Sequence, residues 1–421
     1  MRKIFPIIIL ALISAFLIFY RFTDIPKYLS FDEVEFTKLA LSLDNKPYIP
    51  YSQFATGHST LYFYILLASL KTFGINTFAL RFPAAIFGIL SVIVFYLIMK
   101  KVFDKQKLFT TYYLLPTSFI LTCILLSSRW FLNFARFSFE ATFLLFLELT
   151  SIYFLISFWR EKRSQNIFLI ISGLFAGFAF LSYTPGRIFF LLPMGFLFLT
   201  MKQWNSETIK RIFLFLISFL IITTPLTSYL LTNKDTRIDQ QFFLKNSEMT
   251  FNEKIDGLWK NISSTALMFN IKGDSNGRHN YPNKPTLNPI LGILFIIGLI
   301  ISIKDFKNLY NKLFLLYFFI SIFPALMTYP WENPNMLRTY TVLPSVIYFI
   351  GQAIIILCTI VHKITNNKVF EYLILTTFYL ILVFSCFYEL RTYFKYQSIV
   401  FDQSFEIKLP LEKAIKFKFK P

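Results

Sequence analysis

Apolar runs of about 20 residues, the length one helix needs to cross a bilayer, recur from one end of this 421-residue chain to the other. Short charged or proline-bearing breaks separate them. A soluble core of this size cannot hide 55% hydrophobic residues alongside only 15% charged ones, and the mean hydropathy of +0.56 points the same way. Eleven spans are expected, near residues 4–20, 79–99, 108–126, 138–159, 167–182, 187–201, 211–231, 288–303, 313–328, 339–362 and 369–389. The fold class is an all-α polytopic membrane bundle.

The first run follows Met1-Arg2-Lys3 and ends at Tyr20 without a small-x-small cleavage site before Arg21. It reads as an uncleaved anchor rather than a signal peptide. Counting loops from an inside N-terminus gathers the cations on one side: Lys100, Lys101, Lys105 and Lys107; Arg160, Lys162 and Arg163; Lys202, Lys210 and Arg211; Lys304, Lys307 and Lys312; Lys363 and Lys368. The alternate short loops carry only Arg129 and Arg136, Arg187, and Arg338. This is the asymmetry of the positive-inside rule. It divides the chain into an anchor (1–20), an outer loop (21–78), a bundle (79–231), a large outer loop (232–287), C-terminal helices (288–389) and an outer tail (390–421).

The net charge of +19 is therefore largely topological. No soluble basic face with stacking aromatics exists to bind nucleic acid. Cys123, Cys358 and Cys386 all fall inside apolar spans without CxxC spacing, so they read as packing residues.

The chemistry is expected in the outer segments, where a lipid-linked substrate presents its head. Ser30 followed by Glu33 matches a capping box, which predicts a helix over Phe31–Leu43. Phe36, Leu39, Ala40 and Leu43 share one face of it, the pattern of a helix lying flat on the membrane. A second juxtamembrane helix fits Leu61–Phe73. Glu33 thus has a structural reading as the box's third residue beside a catalytic one. Asp32 has only the weak alternative of a charge favouring the helix N-terminus.

An Asp-Glu pair on a helix after the first span is followed in order by further segments. They are His58-Ser59-Thr60-Leu61-Tyr62-Phe63-Tyr64, Phe73-Gly74, Ala79-Leu80-Arg81-Phe82-Pro83-Ala84-Ala85-Ile86-Phe87-Gly88, Ser127-Ser128-Arg129 and Tyr183-Thr184-Pro185-Gly186-Arg187. Gly273-Asp274, Arg278-His279-Asn280, Asn335-Met336-Leu337-Arg338 and Leu343-Pro344 complete the series. In this order they resemble the GT-C class of polyprenyl-phosphate-sugar-dependent glycosyltransferases: the protein O-mannosyltransferases, the lipid A aminoarabinose transferases and the bacterial family 39 enzymes. Relatives often place a proline pair where Ser59-Thr60 stand here.

The resemblance implies a GT-C-like bundle in a bacterial plasma membrane. It also implies a sugar donor on polyprenyl phosphate and inverting transfer to a protein, glycan or lipid acceptor at the outer face. Membrane lipids are partners, and nucleic acid is not. The sequence carries no P-loop, no GxGxxG after a strand and no DxD to hold a nucleotide sugar. Such a reaction needs a base for the acceptor hydroxyl and cations for the leaving phosphate. Asp32 suits the first role, with Glu33 beside it. Arg338 suits the second, with Arg187, His58 and Tyr183 as further donor-phosphate candidates.

Arg81, Arg129 and Arg136 are candidates for donor or acceptor contacts, or cations snorkelling from helix ends. Asp274, Arg278 and His279 lie in a turn-forming stretch, Gly273 to Asn283, able to fold over the donor or to serve as a plain polar turn. His362 reads as structural. Asp32, Glu33, Asp274 and His279 are the residues that would have to gather around a divalent ion, but their spacing offers no ligand motif, so no metal or other cofactor is expected. Asn261-Ile262-Ser263 is a formal sequon. The rival class is a transporter or lipid flippase, for which mid-span Glu148, with Glu140 two turns earlier, would relay protons. No internal repeat supports it.

Overall fold

The computed structural model describes residues 4–103, 116–161, 165–200 and 205–417. Met1 to Lys3, the loop cations Lys105, Lys107, Lys162, Arg163 and Lys202, the start of the span expected at 108–126 and the end of the one at 187–201 lie outside them. Eighteen α-helices are described. The first nine are α1 (Phe5–Phe19), α2 (Phe31–Ser42), α3 (Leu61–Phe73), α4 (Thr77–Phe103), α5 (Thr117–Ser127), α6 (Arg129–Ala135), α7 (Glu140–Arg160), α8 (Gln165–Ser182) and α9 (Leu191–Thr200). The others are α10 (Ser206–Thr232), α11 (Thr236–Gln241), α12 (Phe251–Met268), α13 (Pro289–Lys304), α14 (Leu309–Leu326), α15 (Leu343–Ile364), α16 (Lys368–Arg391), α17 (Ser398–Ser404) and α18 (Leu411–Ala414). The only described strands, β1 (Tyr51–Ser52) and β2 (His58–Ser59), form an antiparallel hairpin with Tyr51 opposite Ser59.

Among the described residues, seven helices are long and apolar enough to cross a bilayer: α4, α7, α8, α10, α14, α15 and the continuous run Lys368–Ser404. An eighth candidate is the pair α5–α6, bent by 64° at Ser128. The shorter apolar helices Phe5–Phe19, Thr184–Thr200 and Pro289–Lys304 occupy the other expected spans. Within the described residues, every expected span therefore falls mainly on helix. α7 is the most deeply buried of the long helices and packs between α4 and α8, while α13 packs along α15. There Gly298 lies against the Phe349 backbone, a small-residue contact that lets two helices approach closely. α10 and α16 turn large apolar side chains outward, including Phe213, Leu220, Ile221, Leu380 and Phe384, as lipid-facing helices do.

The polar segments do not lie on the surface as separate pieces. Ser30 caps α2 with the full reciprocal capping box, Oγ accepting from Glu33 N–H and the Glu33 carboxylate accepting from Ser30 N–H. The expectation that α2 lies flat on lipid is corrected: Phe36, Leu39, Ala40 and Leu43 are buried in the protein core, where α2 packs on α3. α3 is likewise built into the core through Tyr62, Phe63, Leu66 and Leu70. Segment 21–78, loop 232–287 and the tail after residue 390 touch one another. Leu29 bridges to Ile407, Tyr51 donates to Asp235 at 3.0 Å, and Arg278 pairs with Asp32. The loop between β1 and β2 needs Gly57, whose φ of +94° is open to glycine and whose missing Cβ leaves room for the Tyr51 hydroxyl and Thr236.

Three buried arginines fasten these segments. Arg81 on α4 makes a two-pronged pair with Glu33, Nε to Oε1 at 2.7 Å and Nη2 to Oε2 at 3.0 Å, and also donates to the Pro26 and Tyr28 carbonyls. Arg136 donates to the carbonyls of Leu17, Ile18, Arg21 and Ile25. Arg129 pairs with Glu389 at 2.7 Å and donates to Pro285 O and Asn280 Oδ1. None of the three snorkels, because each is at most 1% exposed. In mid-bundle, Tyr317 of α14 donates to Glu148 of α7 at 2.7 Å, an interhelical hydrogen bond inside the bundle. All three cysteines are free.

The Glu33–Arg81 pair is wholly buried. Removing one partner strands a charge in low dielectric, at a cost of about 3–5 kcal/mol. Glu33→Ala is expected to lower the unfolding midpoint of the purified protein by a corresponding amount. An unchanged midpoint would show that the pair is dispensable.

Candidate active site

The short buried helix α6 is the pedestal on which the site rests. Its Trp130 donates to Met336 O at 2.8 Å, and Asn133 Nδ2 donates to the carbonyls of Arg278 and His279 at 2.8 and 3.1 Å. Two loops, 273–283 and 333–338, are thereby tied to one helix. Asp274 joins them directly, its Oδ2 accepting from Met336 N–H at 2.9 Å and facing His279 Nδ1 at 3.0 Å. Asn335 Oδ1 accepts from the N–H groups of Leu337 and Arg338 and fixes the turn that presents Arg338.

These loops, the start of α2, the β1–β2 hairpin and α11 enclose a polar cavity of about 510 Å3. Asp32, His58, Tyr183, Asp274, Arg278, His279 and Arg338 all line it. Residues from five separate stretches of sequence thus converge on one space. Asp32 sits at its edge with 46% of its side chain exposed, one carboxylate oxygen held by Arg278 Nη1 at 2.9 Å. The capping position that holds Glu33 in the helix frame leaves the next residue N-terminal to it free to face the cavity.

A second, mostly apolar cavity of about 280 Å3 lies alongside. Ile188, Ile238, Phe242, Phe323, Pro324 and Met327 supply its greasy wall, and Arg187 and Lys245 stand at it. Tyr183, Arg237 and Arg338 line both cavities and form the partition between them.

The arginines of the partition and of the apolar cavity differ in how they are compensated. Arg338 pairs with Glu332, and Arg187 with Asp235. Burial alone would push the Asp235 carboxyl up, but the Arg187 guanidinium and hydrogen bonds from Ile238 N–H and Tyr51 hold it below the usual carboxylate range. Burial pushes the Tyr183 phenol up, against the opposing pull of Arg237 and Arg338. Arg237 is different. Among the described residues it pairs with no carboxylate; its Nη1 meets Thr56 Oγ1 at 2.8 Å and His58 Nε2 at 3.1 Å, and its Nε, like that of Arg187, is buried without a hydrogen-bond partner.

Several residues expected at the site stand elsewhere. Glu33 does not reach either cavity, because both its oxygens are taken by Arg81, Ser30 and the Ser138 N–H. Arg81, Arg129 and Arg136 serve as the fasteners described above and contact neither cavity. Arg187 stands at the apolar cavity only. Among the described residues no group of three or more His, Cys, Asp or Glu side chains is arranged to hold a metal ion. Sequence reasoning missed Arg237, and it named Glu140 only for the rival proton relay. The signal for Arg237 was Asp235, an N-cap residue opening a short helix in the outer loop, its side chain accepting from Ile238 N–H.

The family model for dolichyl-phosphate-mannose-protein mannosyltransferases matches residues 57–229. No curated protein matches the sequence. Among solved structures, the chain is similar to the oligosaccharyltransferase AglB from Archaeoglobus fulgidus, in complex with an inhibitory peptide and a dolichol-phosphate. The identity is 15%, the TM-score 0.54, and the match covers 96% of this chain and 56% of that one. This chain thus spans a little over half the length of that protein. It is also similar to ArnT from Cupriavidus metallidurans in the apo state, at 12% identity and a TM-score of 0.56, over 97% of this chain and 77% of that one. The same ArnT bound to undecaprenyl phosphate gives a TM-score of 0.50 at 11% identity, over 97% and 76%. The chain has the fold of the GT-C glycosyltransferases, the class its ordered motifs resemble, and the protein mannosyltransferase pattern runs through residues 57–229.

Proposed function

We propose that this protein transfers a sugar from a polyprenyl-phosphate donor to an acceptor at the outer face of a bacterial plasma membrane, with inversion at the anomeric carbon. The observation that carries this reading is the partition. Arg237, a guanidinium without a carboxylate partner among the described residues, stands with Arg338 between a polar cavity holding Asp32 and an apolar cavity. A sugar-bearing polyprenyl phosphate has the matching order of parts: an apolar tail, an anion and a sugar. The tail lies against Phe242, Phe323 and Met327, the phosphate meets Arg237 and Arg338, and the sugar enters the polar cavity.

In a single displacement, the acceptor hydroxyl oxygen forms the bond to the anomeric carbon while the carbon–oxygen bond to phosphate breaks. Asp32 takes the hydroxyl proton, and the arginines stabilise the charge that gathers on the departing polyprenyl phosphate. Attack opposite the leaving group gives inversion. Guanidinium suits this task because it stays charged and grips phosphate with two parallel donors. The undecaprenyl and dolichol phosphates bound by ArnT and AglB support a lipid phosphate as the anion. The outer-face orientation is supported by α7, which starts with Glu140 near the polar cavity and ends at Arg160, whose neighbours Lys101 and Glu161 belong to the cation-rich loops.

Purified protein supplied with labelled polyprenyl-phosphate hexoses and a membrane extract as acceptor source tests the reading. Asp32→Asn is expected to reduce transfer by about 10²- to 10⁴-fold, the usual contribution of general base catalysis. The thermal midpoint should stay near wild type, since Asp32 is half exposed. Transfer by this variant at the wild-type rate would remove the base assignment. Arg338→Ala is expected to raise the donor KM by about tenfold or more through loss of a charge-assisted hydrogen bond. An unchanged donor KM would place the phosphate elsewhere.

A further inference from the structure

One buried titratable pair, His58 and Glu140, has no part in base catalysis. The two side chains are 3% and 1% exposed, and His58 Nδ1 lies 2.7 Å from Glu140 Oε1. Phe36 and Phe63 meet the imidazole edge-on, with ring centroids at 5.1 and 5.3 Å, so the ring has one orientation. That orientation aims Nε2 at two groups of opposite demand. Arg237 Nη1, at 3.1 Å, can only donate; the Ala55 carbonyl, at 2.9 Å, can only accept.

The protonation state of His58 therefore decides which of the two it serves. In the neutral ring with the proton on Nδ1, Glu140 accepts that proton's hydrogen bond and the Nε2 lone pair accepts from Arg237. In the charged ring, Nε2–H donates to Ala55 O and turns a proton toward a guanidinium, which repels it. The other groups around the ring are the side chains of Phe36 on α2 and Phe63 on α3. The charged or titratable neighbours are Glu140 on α7, Arg237 on α11, Tyr62 and Tyr183, whose phenols share the field of Glu140, and Arg187, which reaches Ser59 at 3.4 Å. Tyrosine and arginine titrate near or above pH 10. Histidine is the side-chain type whose charge changes between about pH 5 and 8, and His58 is the one histidine among these neighbours.

We infer that His58, held by Glu140, is a positioning residue that sets Arg237 for the donor phosphate, so that donor binding weakens when His58 takes up a second proton. This rests on the donor-phosphate reading of Arg237 and Arg338. It differs from a direct His58–phosphate contact, which would strengthen as the ring became charged. The sign of the pH dependence therefore separates the two.

The test is binding of undecaprenyl phosphate to the full-length purified protein from about pH 5 to about pH 9. The probe's own second ionisation, near about pH 6, is common to every variant and cancels in comparison with wild type. Wild-type affinity is expected to rise by about tenfold with pH. His58→Ala is expected to bind about tenfold more weakly than wild type at the alkaline end. His58→Gln, whose amide oxygen can accept from Arg237 but does not titrate, should recover part of that loss and show none of the His58-dependent rise. Arg237→Ala should bind weakly with the same flattened profile, and it carries the test by itself if His58→Ala fails to fold. If Arg237→Ala and Arg338→Ala both bind the probe as wild type does, the donor site lies elsewhere and the inference falls with it. If they bind poorly while His58→Gln keeps the wild-type profile, or if affinity falls as pH rises, only the His58 role is overturned.

Discussion

A guanidinium sealed inside a protein keeps its charge and its five donors, so the chain around it must supply acceptors. Arg81, Arg129 and Arg136 impose that demand beside the ends of the bundle helices, and the outer segments answer it. Carbonyls from residues 17–28 converge on Arg81 and Arg136, Glu33 completes the Arg81 shell, and Glu389 with the 280–285 turn surrounds Arg129. Polar loops that would otherwise be solvated and mobile are thus welded to the bundle. The cavity walls hang from these charges and from the hydrogen bonds of α6.

The same logic separates structural from functional charge. Buried arginines whose donors are met by protein acceptors offer nothing to a ligand. Arg237 offers more, since among the described residues its charge faces no carboxylate. Arg338 and Arg187 stand between these cases, each held by one carboxylate. Asp32 is held at one oxygen by Arg278, which orients the carboxylate in the cavity. The opposite charges across the polar cavity match a reaction in which a proton leaves one partner while negative charge collects on the other.

Much of this was legible in the sequence. Apolar runs fixed by bilayer thickness gave the spans, and the reciprocal demands of a helix N-terminus gave Ser30 and Glu33 their places. The capping box also explains why the adjacent acids part: the third helical position turns Glu33 inward, toward Arg81, and leaves Asp32 at the cavity. What the sequence did not yield is which arginine meets which acid. Arg129 and Glu389 are 260 positions apart, and Arg81 and Glu33 are 48 apart, so each pairing exists only after the bundle closes. A flat membrane pose for α2 failed for a related reason. An amphipathic face asks for an apolar neighbour, and α3 provided one before lipid could. Arg237 was overlooked because the loop around it was weighed for its turn-forming stretch further on.

The central claim is that lipid phosphate binds at the partition between the two cavities, with its sugar facing Asp32. A structure determined with a non-hydrolysable polyprenyl phosphosugar bound tests it directly. The account predicts phosphate oxygens within hydrogen-bond reach of Arg237 and Arg338, the lipid chain along Phe242, Phe323 and Met327, and the anomeric carbon open to attack from the Asp32 side. A phosphate bound at the other end of the bundle, or with Asp32 on the leaving-group side of the sugar, would contradict it.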